Sequence, residues 1–403
     1  MNPEPPSEPP ADPSSSTSSP AHIVVCAGET SGDHLGAGLV HAIRERRPQI
    51  TFSGMGGEAM RSAGVDTLVD VSELAVVGLW EVLVQYPRLR GLLHRMQRHL
   101  ETVRPQLLVL VDYVEFNLRL AAHARQLGIR VLFYVSPQVW AWRQGRIHRI
   151  KRSVDAMAVL FPFEEALYRE HGIPVRYVGN PLVDRVRKPE RDLRAQLELG
   201  PDTPLIGLLP GSRKGELQRH WPLLVDTARC LLDARPAMRF AVPLAPGITP
   251  DMLTATASWE GLPVTLVQGS EAAHEVMAAS DLLLISSGTA TLEAALLEAP
   301  MIVIYRMAAV SHAVFSRLIR VPHIALVNIV AGAEVVPERL QKAANPTALC
   351  REALDWLDHP EKLEALRVRL REIRELLGEG GADRRVAAAA LEVLDTGTLA
   401  DPQ

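Results

Sequence analysis

The feature that most constrains the fold is a series of short apolar runs separated by longer amphipathic segments. Such runs are typical of strands buried on both faces of a parallel sheet with helices on either side. In the first half of the chain the candidate strands are residues 22–27, 49–54, 107–111, 130–135, 156–160 and 176–179. In the second half they are residues 205–210, 239–244, 264–268, 282–286 and 301–305. The pattern predicts an α/β protein with two doubly wound parallel-sheet domains.

A polar, charge-rich stretch between the two series of strands indicates the domain boundary. We place the first domain at residues 21–184, a link at 185–203, the second domain at 204–375 and a C-terminal helical segment at 376–403. Two such domains leave a cleft between them, and ligands of open parallel sheets bind beyond the carboxyl ends of the strands. Residues that directly follow a strand are therefore the candidates for a functional site.

Composition argues against several classes of protein. A net charge of −4 gives no support for nucleic acid as a partner. Cys26, Cys230 and Cys350 are widely spaced with no C-x-x-C pair, which predicts a reducing compartment and neither a disulfide nor a zinc framework. Residues 1–20 are rich in Pro and Ser and predict a disordered tail rather than a signal peptide. No run reaches the roughly 18 apolar residues of a spanning helix, so we expect a soluble or peripheral, cytoplasmic protein.

The first candidate strand leads into a glycine-rich segment, AGETSGDHLGAG, at residues 27–38. Its glycines allow a tight turn and a close approach of the backbone to a ligand. Ser31 and Asp33, on either side of Gly32, either cap the following helix or hydrogen-bond a sugar, and both interpretations stay open. A second segment, GMGGEA at 54–59, does not follow the first strand, which argues against a dinucleotide site there.

A carboxylate directly follows a run of five apolar residues in the stretch LLVLVDYVEFN, residues 107–117. Asp112 has no cation beside it in sequence. It is either an ordinary helix cap or a catalytic base.

The second domain contains two loops suited to an anion. LLPGSRKGEL at 208–217 places Gly211, Ser212 and Arg213 after a buried strand without the spacing of a Walker P-loop, so it is an anion site or an exposed turn. SSGTATLEAALLEAP at 286–300 predicts a tight turn leading into a helix N-terminus, which suits a pyrophosphate. Two such loops favour a nucleotide diphosphate, and neither supplies a carboxylate cluster for a metal.

The polar residues of the second loop allow two interpretations. Glu293 either accepts hydrogen bonds from ribose hydroxyls or complements the helix dipole. Thr289 and Thr291, which follow Gly288, either face the ligand or cap the helix.

Two basic segments could meet a membrane. In residues 75–100 an apolar stripe at helical spacing accompanies a basic surround: Leu89, Leu92, Leu93, Met96 and Leu100, with Arg88, Arg90, Arg95 and Arg98. The stripe favours an interfacial helix on anionic lipid or, as the alternative, a helix that covers the sheet. Residues 140–152 carry a second basic run that could meet phosphate or membrane, or form a solvated helix face.

Taken together, the motifs resemble one family. Over residues 23–394, eight motifs occur in the order found in lipid-A-disaccharide synthases. They are GETSGDHLGAG, VGLWEVL, YVSPQVWAWRQGRI, FPFE, LLPGSR, SSGTATLE, YRM and LVNIVAG. The resemblance implies the GT-B architecture, with two Rossmann-like domains facing across a cleft and a C-terminal helix that returns to the first. It implies transfer of 2,3-diacylglucosamine from UDP to the 6-hydroxyl of 2,3-diacylglucosamine 1-phosphate, which forms a β-1,6-linked disaccharide.

The resemblance also implies roles for individual residues. Asp112 heads the family's D-x-P-x-F-N segment as catalytic base, and Asn117 matches that segment, whereas Val114 replaces the proline. The residues implied for UDP are Gly211, Ser212, Arg213, Ser287, Gly288, Thr289, Thr291, Glu293 and Asn328. Those implied for the acceptor or sugar are Ser31, Gly32, Asp33 and Asn117.

The expected partners are UDP-2,3-diacylglucosamine, diacylglucosamine 1-phosphate and the cytoplasmic face of the inner membrane, with no cofactor, metal or nucleic acid. A homodimer stays open. The alternatives are a UDP-sugar epimerase, a glycosyltransferase with another lipid acceptor, or a nucleotide-sugar-binding protein without catalysis.

Overall fold

The computed structural model of the protein describes residues 21–74, 79–140, 145–307 and 322–400. The predicted disordered tail at 1–20 lies outside the described residues. So do residues 75–78 of the first basic segment and 141–144, with Arg143, of the second.

A seven-stranded sheet forms the first domain, in the order β3-β2-β1-β4-β5-β6-β7, and all paired strands are parallel. Its strands are β1 (His22–Ala27), β2 (Thr51–Gly56), β3 (Asp66–Asp70), β4 (Leu107–Val111), β5 (Arg130–Tyr134), β6 (Ala156–Val159) and β7 (Val175–Tyr177). Every residue of the central strand β4 is buried, as its unbroken apolar run predicts. The edge strand β3 was not predicted, because its sequence DTLVD is only partly apolar and it is mostly half-buried.

Helices cover both faces of this sheet. They are α1 (Thr30–Arg46), α2 (Glu58–Ser62), α3 (Leu79–Val103), α4 (Val114–Gln126), α5 (Arg146–Ser153) and α6 (Pro162–Glu170), with a 3₁₀ turn at Val71–Leu74. The short helix α7 (Leu182–Arg185) follows and packs against the core of the second domain.

The second domain has a six-stranded parallel sheet in the order β10-β9-β8-β11-β12-β13. Its strands are β8 (Leu205–Leu209), β9 (Arg239–Pro243), β10 (Val264–Val267), β11 (Leu282–Ser286), β12 (Met301–Tyr305) and β13 (Glu338–Leu340). Its helices are α8 (Leu193–Gln196), α9 (Lys214–Ala234), α10 (Pro250–Thr256), α11 (Ala272–Ala279), α12 (Ala290–Leu296), α13 (Leu326–Ala331), α14 (Pro346–Leu357) and α15 (Pro360–Leu376). The structure confirms the predicted pair of Rossmann-like domains.

The last helix, α16 (Ala382–Thr396), leaves the second domain and packs on the first. Its Val386 and Val393 are buried in the same core as Ile23 of β1. At the crossing, the Asp184 carboxylate accepts hydrogen bonds from the Gly381 N–H at 2.8 and 2.9 Å, which caps α16. The two chain segments that pass between the domains are therefore bonded to each other.

The apolar stripe on α3 faces the sheet, which corrects the predicted insertion into lipid. Leu92, Leu93 and Met96 are buried in the core against the strands, and Leu89 packs against them half-buried. An apolar stripe that covers a sheet in this way has no surface left for acyl chains, so the sheet-covering alternative describes it. The arginines of this helix are exposed instead: Arg88, Arg90, Arg95 and Arg98.

Helix α5 in the second basic segment is also largely structural. Its Ile147 and Ile150 are buried in the core. Arg146 is buried and donates to the Glu115 carboxylate at 2.6 Å, and Arg149 reaches the same carboxylate at 3.3 Å. Lys151 donates to the His171 carbonyl at 2.8 Å. Only part of this basic run is therefore available to a ligand.

The expectation of no disulfide is wrong. Cys230 on α9 and Cys350 on α14 are joined by a disulfide, 120 residues apart in sequence and 6.1 Å apart between Cα atoms. Packing of α14 on α9 brings the two together, which spacing along the chain did not reveal. Cys26 on β1 is a buried free thiol, and burial raises its pKa to about 12.

Thiol counting tests this assignment. Denatured without a reductant, the protein should expose one alkylatable thiol, that of Cys26, and three after reduction. Mass spectrometry of the iodoacetamide-treated chain measures the number. The Cys350→Ser variant is the control, because it should expose two thiols, Cys26 and Cys230, with or without the reductant. Three thiols in the unreduced wild type would contradict the disulfide.

Candidate active site

Asp112 lies at the carboxyl edge of the first sheet, one residue beyond β4. In the parallel register of β1 with β4, Ala27 is opposite Val111, so the glycine-rich loop after β1 lies beside Asp112. This edge is where open parallel sheets bind their ligands. The fold thus joins two segments that the sequence separates widely.

The backbone turns sharply at Asp112. Its φ is +49° and that of Tyr113 is +45°, both in the left-handed region that residues with a Cβ rarely adopt. The Asp112 N–H donates to the Tyr134 carbonyl at 3.0 Å. Val135, which follows β5 at the same edge, also has a positive φ, of +69°. Strained backbone that its surroundings hold in place clusters at functional sites.

The Asn117 side chain holds this turn in place. Its amide nitrogen donates to the Asp112 carbonyl at 2.7 Å and to the Val111 carbonyl at 3.3 Å. The side chain is 0% exposed, and its Oδ1 has no hydrogen-bond partner among the described residues. The predicted sugar contact is therefore corrected, because a side chain buried in this way supports Asp112 and is not accessible to a ligand.

The capping alternative for Asp112 finds no support. Helix α4 begins at Val114, and its N-cap residue is Tyr113, with no side-chain capping hydrogen bond. Val114, which replaces the family's proline, occupies the first helical position. Proline is favoured there because the N–H of that position needs no helical partner, so valine leaves the helix start intact.

Electrostatics make Asp112 a stronger base than a surface carboxylate. The pKa of Asp112 is raised to about 6, mainly by burial and in addition by the negative charge of Glu29, against a lowering by the Tyr113 N–H. A carboxylate with this pKa is ionised at neutral pH yet accepts a proton more readily than an ordinary aspartate. Glu29, the residue before α1, was not singled out by the sequence.

Gly28 provides the space for the Tyr113 ring. A Cβ built on Gly28 would lie 2.2 Å from Cγ of Tyr113, far inside van der Waals contact. Burial is the main cause of the raised pKa of the Tyr113 hydroxyl. The glycine loop and the strained turn are thus packed directly against each other.

The other residues of the glycine loop differ in accessibility. Asp33 is buried, and its carboxylate accepts hydrogen bonds from the N–H groups of Gly57 at 2.6 Å, Ala59 at 3.0 Å and Met60 at 3.1 Å. These bonds cap α2 rather than α1, so the predicted sugar contact of Asp33 is replaced by a cap. Gly32 is buried, whereas Ser31 is exposed at the start of α1.

In the second domain, the Gly211–Arg213 loop follows β8. Gly211 has a φ of +109°, and a Cβ there would lie 2.3 Å from the Glu216 carboxylate. That carboxylate accepts from the N–H groups of Ser212 at 3.1 Å and Arg213 at 3.3 Å. Ser212 is exposed, and so is the Arg213 guanidinium, which forms an ion pair with Glu216 at 3.3 Å on the helix surface. The guanidinium is therefore accessible to an anion.

The SSGTATLE segment forms the tight turn that its composition predicts. Thr291 is buried and its hydroxyl donates to the Gly288 carbonyl at 2.8 Å, so it closes the turn rather than facing a ligand. Ser287 Oγ donates to the Ile324 carbonyl at 3.1 Å. A Cβ on Gly288 would meet no atom within 4 Å, and Thr289 is exposed, so these two residues border open space.

Glu293 lies half-buried in the first turn of α12. Its carboxylate is 3.5 Å from His274 Nε2 on α11. The hydrogen bond to Glu293 raises the pKa of His274. A ribose hydroxyl at this site would therefore meet a histidine as well as the predicted carboxylate.

Asn328 does not line the site with its side chain, which corrects that prediction. It is 0% exposed. Its Oδ1 accepts from the N–H groups of Val335 and Val336, and its amide nitrogen donates to the Glu338 carboxylate at 2.7 Å. The same carboxylate accepts from the Ile324 N–H at 2.9 Å. Asn328 thus shapes the segment that Ser287 contacts.

Two features of the second domain were not predicted. A cavity of about 410 Å³ lies beyond the carboxyl ends of β9 and β10, lined by residues 244–250 and 268–270. The other feature is His220 on α9, a buried residue that contacts the loops after two different strands. In the sequence, the residues at i+3 and i+4 from His220 do not distinguish it from an ordinary core residue of a helix.

Within the described residues, no three His, Cys, Asp or Glu side chains are grouped so that they could hold a metal ion. Nor does any helix of that part combine the length and apolarity needed to cross a membrane.

Comparison with solved structures supports the fold. A putative UDP-N-acetylglucosamine 2-epimerase from Listeria monocytogenes superposes with a TM-score of 0.64 at 13% identity, covering 94% of this chain and 98% of that one. The MnaA–UDP co-structure from S. aureus gives a TM-score of 0.64 at 12% identity, covering 95% and 100%. At these identities the likeness concerns the architecture alone.

Comparison of sequences identifies the family. The family model described as lipid-A-disaccharide synthetase matches residues 23–392. The lipid-A-disaccharide synthase of Geobacter sulfurreducens is 43% identical, covering 92% of this chain and 97% of its own. That of Myxococcus xanthus is 42% identical, covering 94% and 100%. The chain therefore belongs to the lipid-A-disaccharide synthase family.

Proposed function

We propose that the protein is an inverting glycosyltransferase that forms the lipid A disaccharide. It transfers 2,3-diacylglucosamine from UDP-2,3-diacylglucosamine to the 6-hydroxyl of 2,3-diacylglucosamine 1-phosphate. The observation that carries the proposal is Asp112, held in a strained turn at the carboxyl edge with a raised pKa in a chain of this family.

Asp112 is the general base of this reaction. It removes the proton of the acceptor 6-hydroxyl as that oxygen bonds to the anomeric carbon of the donor sugar. The bond between the anomeric carbon and the UDP oxygen breaks on the opposite face, which converts an α-linked donor into a β-glycoside. Charge develops as in other inverting displacements at a sugar, and base assistance typically contributes about 10²–10⁴-fold.

The second domain holds the leaving UDP. The exposed Arg213 guanidinium and the open turn at Gly288 and Thr289 stabilise the developing diphosphate charge. The Glu293 carboxylate, which His274 contacts, accepts hydrogen bonds from the ribose hydroxyls. The cavity beyond β9 and β10 has room for the nucleoside base. This arrangement needs no step through a metal.

We place the protein at the cytoplasmic face of the inner membrane, where its acylated substrates reside. Because the apolar stripe of α3 is buried, attraction to lipid rests on its exposed arginines. A basic surface gains about 1 kcal/mol per Arg near anionic lipid.

The direct test supplies UDP-2,3-diacylglucosamine and diacylglucosamine 1-phosphate to the purified protein and follows UDP and disaccharide together. Equal amounts of both are expected, and only when acceptor is present. Conversion of the donor sugar without acceptor would favour the epimerase alternative. UDP binding without any turnover would favour the non-catalytic one.

The pH profile tests the state of Asp112. Because its pKa is raised to about 6, kcat/KM should fall tenfold per pH unit below about pH 6, where the carboxyl group becomes protonated. Glu29→Gln removes the charge that raises this pKa and should move the acid limb to lower pH. Glu45→Gln, at the far end of α1, is the control and should leave the limb in place. An acid limb that does not respond to Glu29→Gln would contradict the assignment.

Membrane binding tests the basic side of α3. Replacing Arg88, Arg95 and Arg98 by glutamine should weaken sedimentation with anionic vesicles by about 100-fold, from ~1 kcal/mol per arginine. The matched control replaces three exposed arginines elsewhere, Arg46, Arg351 and Arg384. Equal losses in both triple variants would show that net charge alone, and not this helix, attracts lipid.

A further inference from the structure

His220 is a fully buried imidazole with a hydrogen bond at each ring nitrogen. Its Nδ1 lies 2.8 Å from the Pro210 carbonyl oxygen, and its Nε2 lies 3.0 Å from the Arg306 backbone nitrogen. The Tyr305 ring lies 5.9 Å away, centroid to centroid. A core histidine whose two ring nitrogens bond to two different loops connects those loops as well as filling the core.

The partners determine the state of the ring. A carbonyl can only accept, so Nδ1 carries the hydrogen; a backbone N–H can only donate, so Nε2 is bare. The imidazole is therefore neutral and in one tautomer. Burial lowers the pKa of His220, which favours the same neutral form.

The two loops lie on either side of the β11 loop. Pro210 follows β8 and begins the Gly211–Arg213 segment, whereas Arg306 follows β12. In the sheet, β11 lies between β8 and β12, and Ser287 to Thr289 follow β11. The Arg306 side chain donates to the Ala344 carbonyl at 3.0 Å through Nε, so this segment is anchored on its other side too.

We propose that His220 is a positioning residue of the nucleotide site, which holds the loops after β8 and β12 at a fixed separation across the β11 loop. Fixed separation matters because an anion held by several loops loses affinity when each moves independently. This inference rests on the proposed function, since that function places a diphosphate at these loops.

Amide side chains can separate the two bonds. In His220→Asn the amide nitrogen takes the place of Nδ1, so it keeps the donor to Pro210 and loses the acceptor for Arg306. In His220→Gln the amide oxygen takes the place of Nε2, so it keeps the acceptor for Arg306 and loses the donor to Pro210. His220→Leu loses both. Thr227→Val is the control, because it removes another buried hydrogen bond of α9, to the Leu223 carbonyl, away from both loops.

Hydrogen exchange of the full chain without nucleotide measures whether His220 holds the two loops together. The Arg306 amide should exchange about tenfold faster in His220→Asn and keep its wild-type rate in His220→Gln, since an unpaired buried donor favours local opening. Amides of the Ser212–Arg213 loop should show the opposite pattern, and His220→Leu should release both loops. Wild-type exchange at both loops in His220→Leu would overturn the inference, and so would equal release of both loops in all three variants.

Titration with UDP reads the consequence. His220→Leu should bind UDP about tenfold more weakly or worse, each single-bond variant should be intermediate, and Thr227→Val should match the wild type. UDP affinity that is unchanged in His220→Leu would overturn the role in the nucleotide site. A wild type without UDP affinity would instead overturn the proposed function, and the exchange pattern would still decide whether His220 links the loops. Thermal melting of each variant separates a local effect from loss of the fold.

Discussion

Replacing Asp112 by alanine is expected to lower kcat by about 10²–10⁴-fold, because the acceptor hydroxyl then has no base. UDP binding should persist, since the nucleotide loops lie on the other domain. Disaccharide formation and UDP titration, measured on one preparation, give both quantities. Asp226→Asn, an exposed position on α9, is the control and should behave as wild type. Wild-type turnover in Asp112→Ala would exclude Asp112 as the base.

Replacing Asp112 by asparagine tests the raised pKa through its effect on thermal stability. Folding raises the pKa of Asp112 from an ordinary 3.8 to about 6, so ionisation of this carboxyl group destabilises the fold. The penalty is absent below the unfolded-state pKa and is complete once the pH exceeds about 6. Asp112→Asn should therefore raise Tm at pH 8, by less at pH 5, while activity is lost. A lower Tm at pH 8 would mean that the carboxylate stabilises the fold and that its pKa is not raised.

Replacing Gly28 by alanine is expected to lower kcat by about 100-fold, although no reacting group is removed. The new Cβ would lie 2.2 Å from Cγ and 2.7 Å from Cβ of Tyr113, so that residue must shift, and Asp112 is bonded directly to it. Displacement of a catalytic group by about 1 Å costs on this order. Disaccharide formation at saturating substrate measures the loss.

A second substitution makes this prediction specific. Tyr113→Gly removes the atoms that clash, and its φ of +45° is one that glycine adopts without penalty. The double variant should therefore recover most of the activity that Gly28→Ala loses. Gly91→Ala is the control, because a Cβ there would meet nothing within 4 Å. Failure of Tyr113→Gly to rescue would show that Gly28 acts through something other than the room it leaves for the ring.

The stretch LLVLVDYVEFN shows how far the sequence reaches. Its apolar run predicted a strand buried on both faces, and all five residues of β4 are buried. The position of Asp112 at the end of that strand predicted its place at the carboxyl edge, which follows from strand direction alone. The left-handed turn at Asp112 and Tyr113 was not predictable, because contacts from Tyr134 and Asn117 hold it.

Asp33 and Asn328 show where prediction by resemblance stops. Both lie in motifs that match the family, yet their polar atoms bond to backbone groups of α2 and of the segment after α13. Residues of one motif can face the ligand or support the residues that do, and sequence does not separate the two. The stripe of α3 failed for a related reason, since an amphipathic helix looks the same whether it faces a sheet or a membrane.

By itself the sequence determined the two parallel-sheet domains, all their strands except the edge strands β3 and β13, and the family, because burial on both faces and motif order are properties of local segments. Only the tertiary structure decided which polar side chains are free to act. Asp112 is half-buried at the carboxyl edge of the first sheet and Arg213 is exposed, whereas Asp33, Asn117 and Asn328 are committed to backbone groups. The physical reason is that hydrogen-bonding capacity and burial depend on partners that meet only when the domains fold.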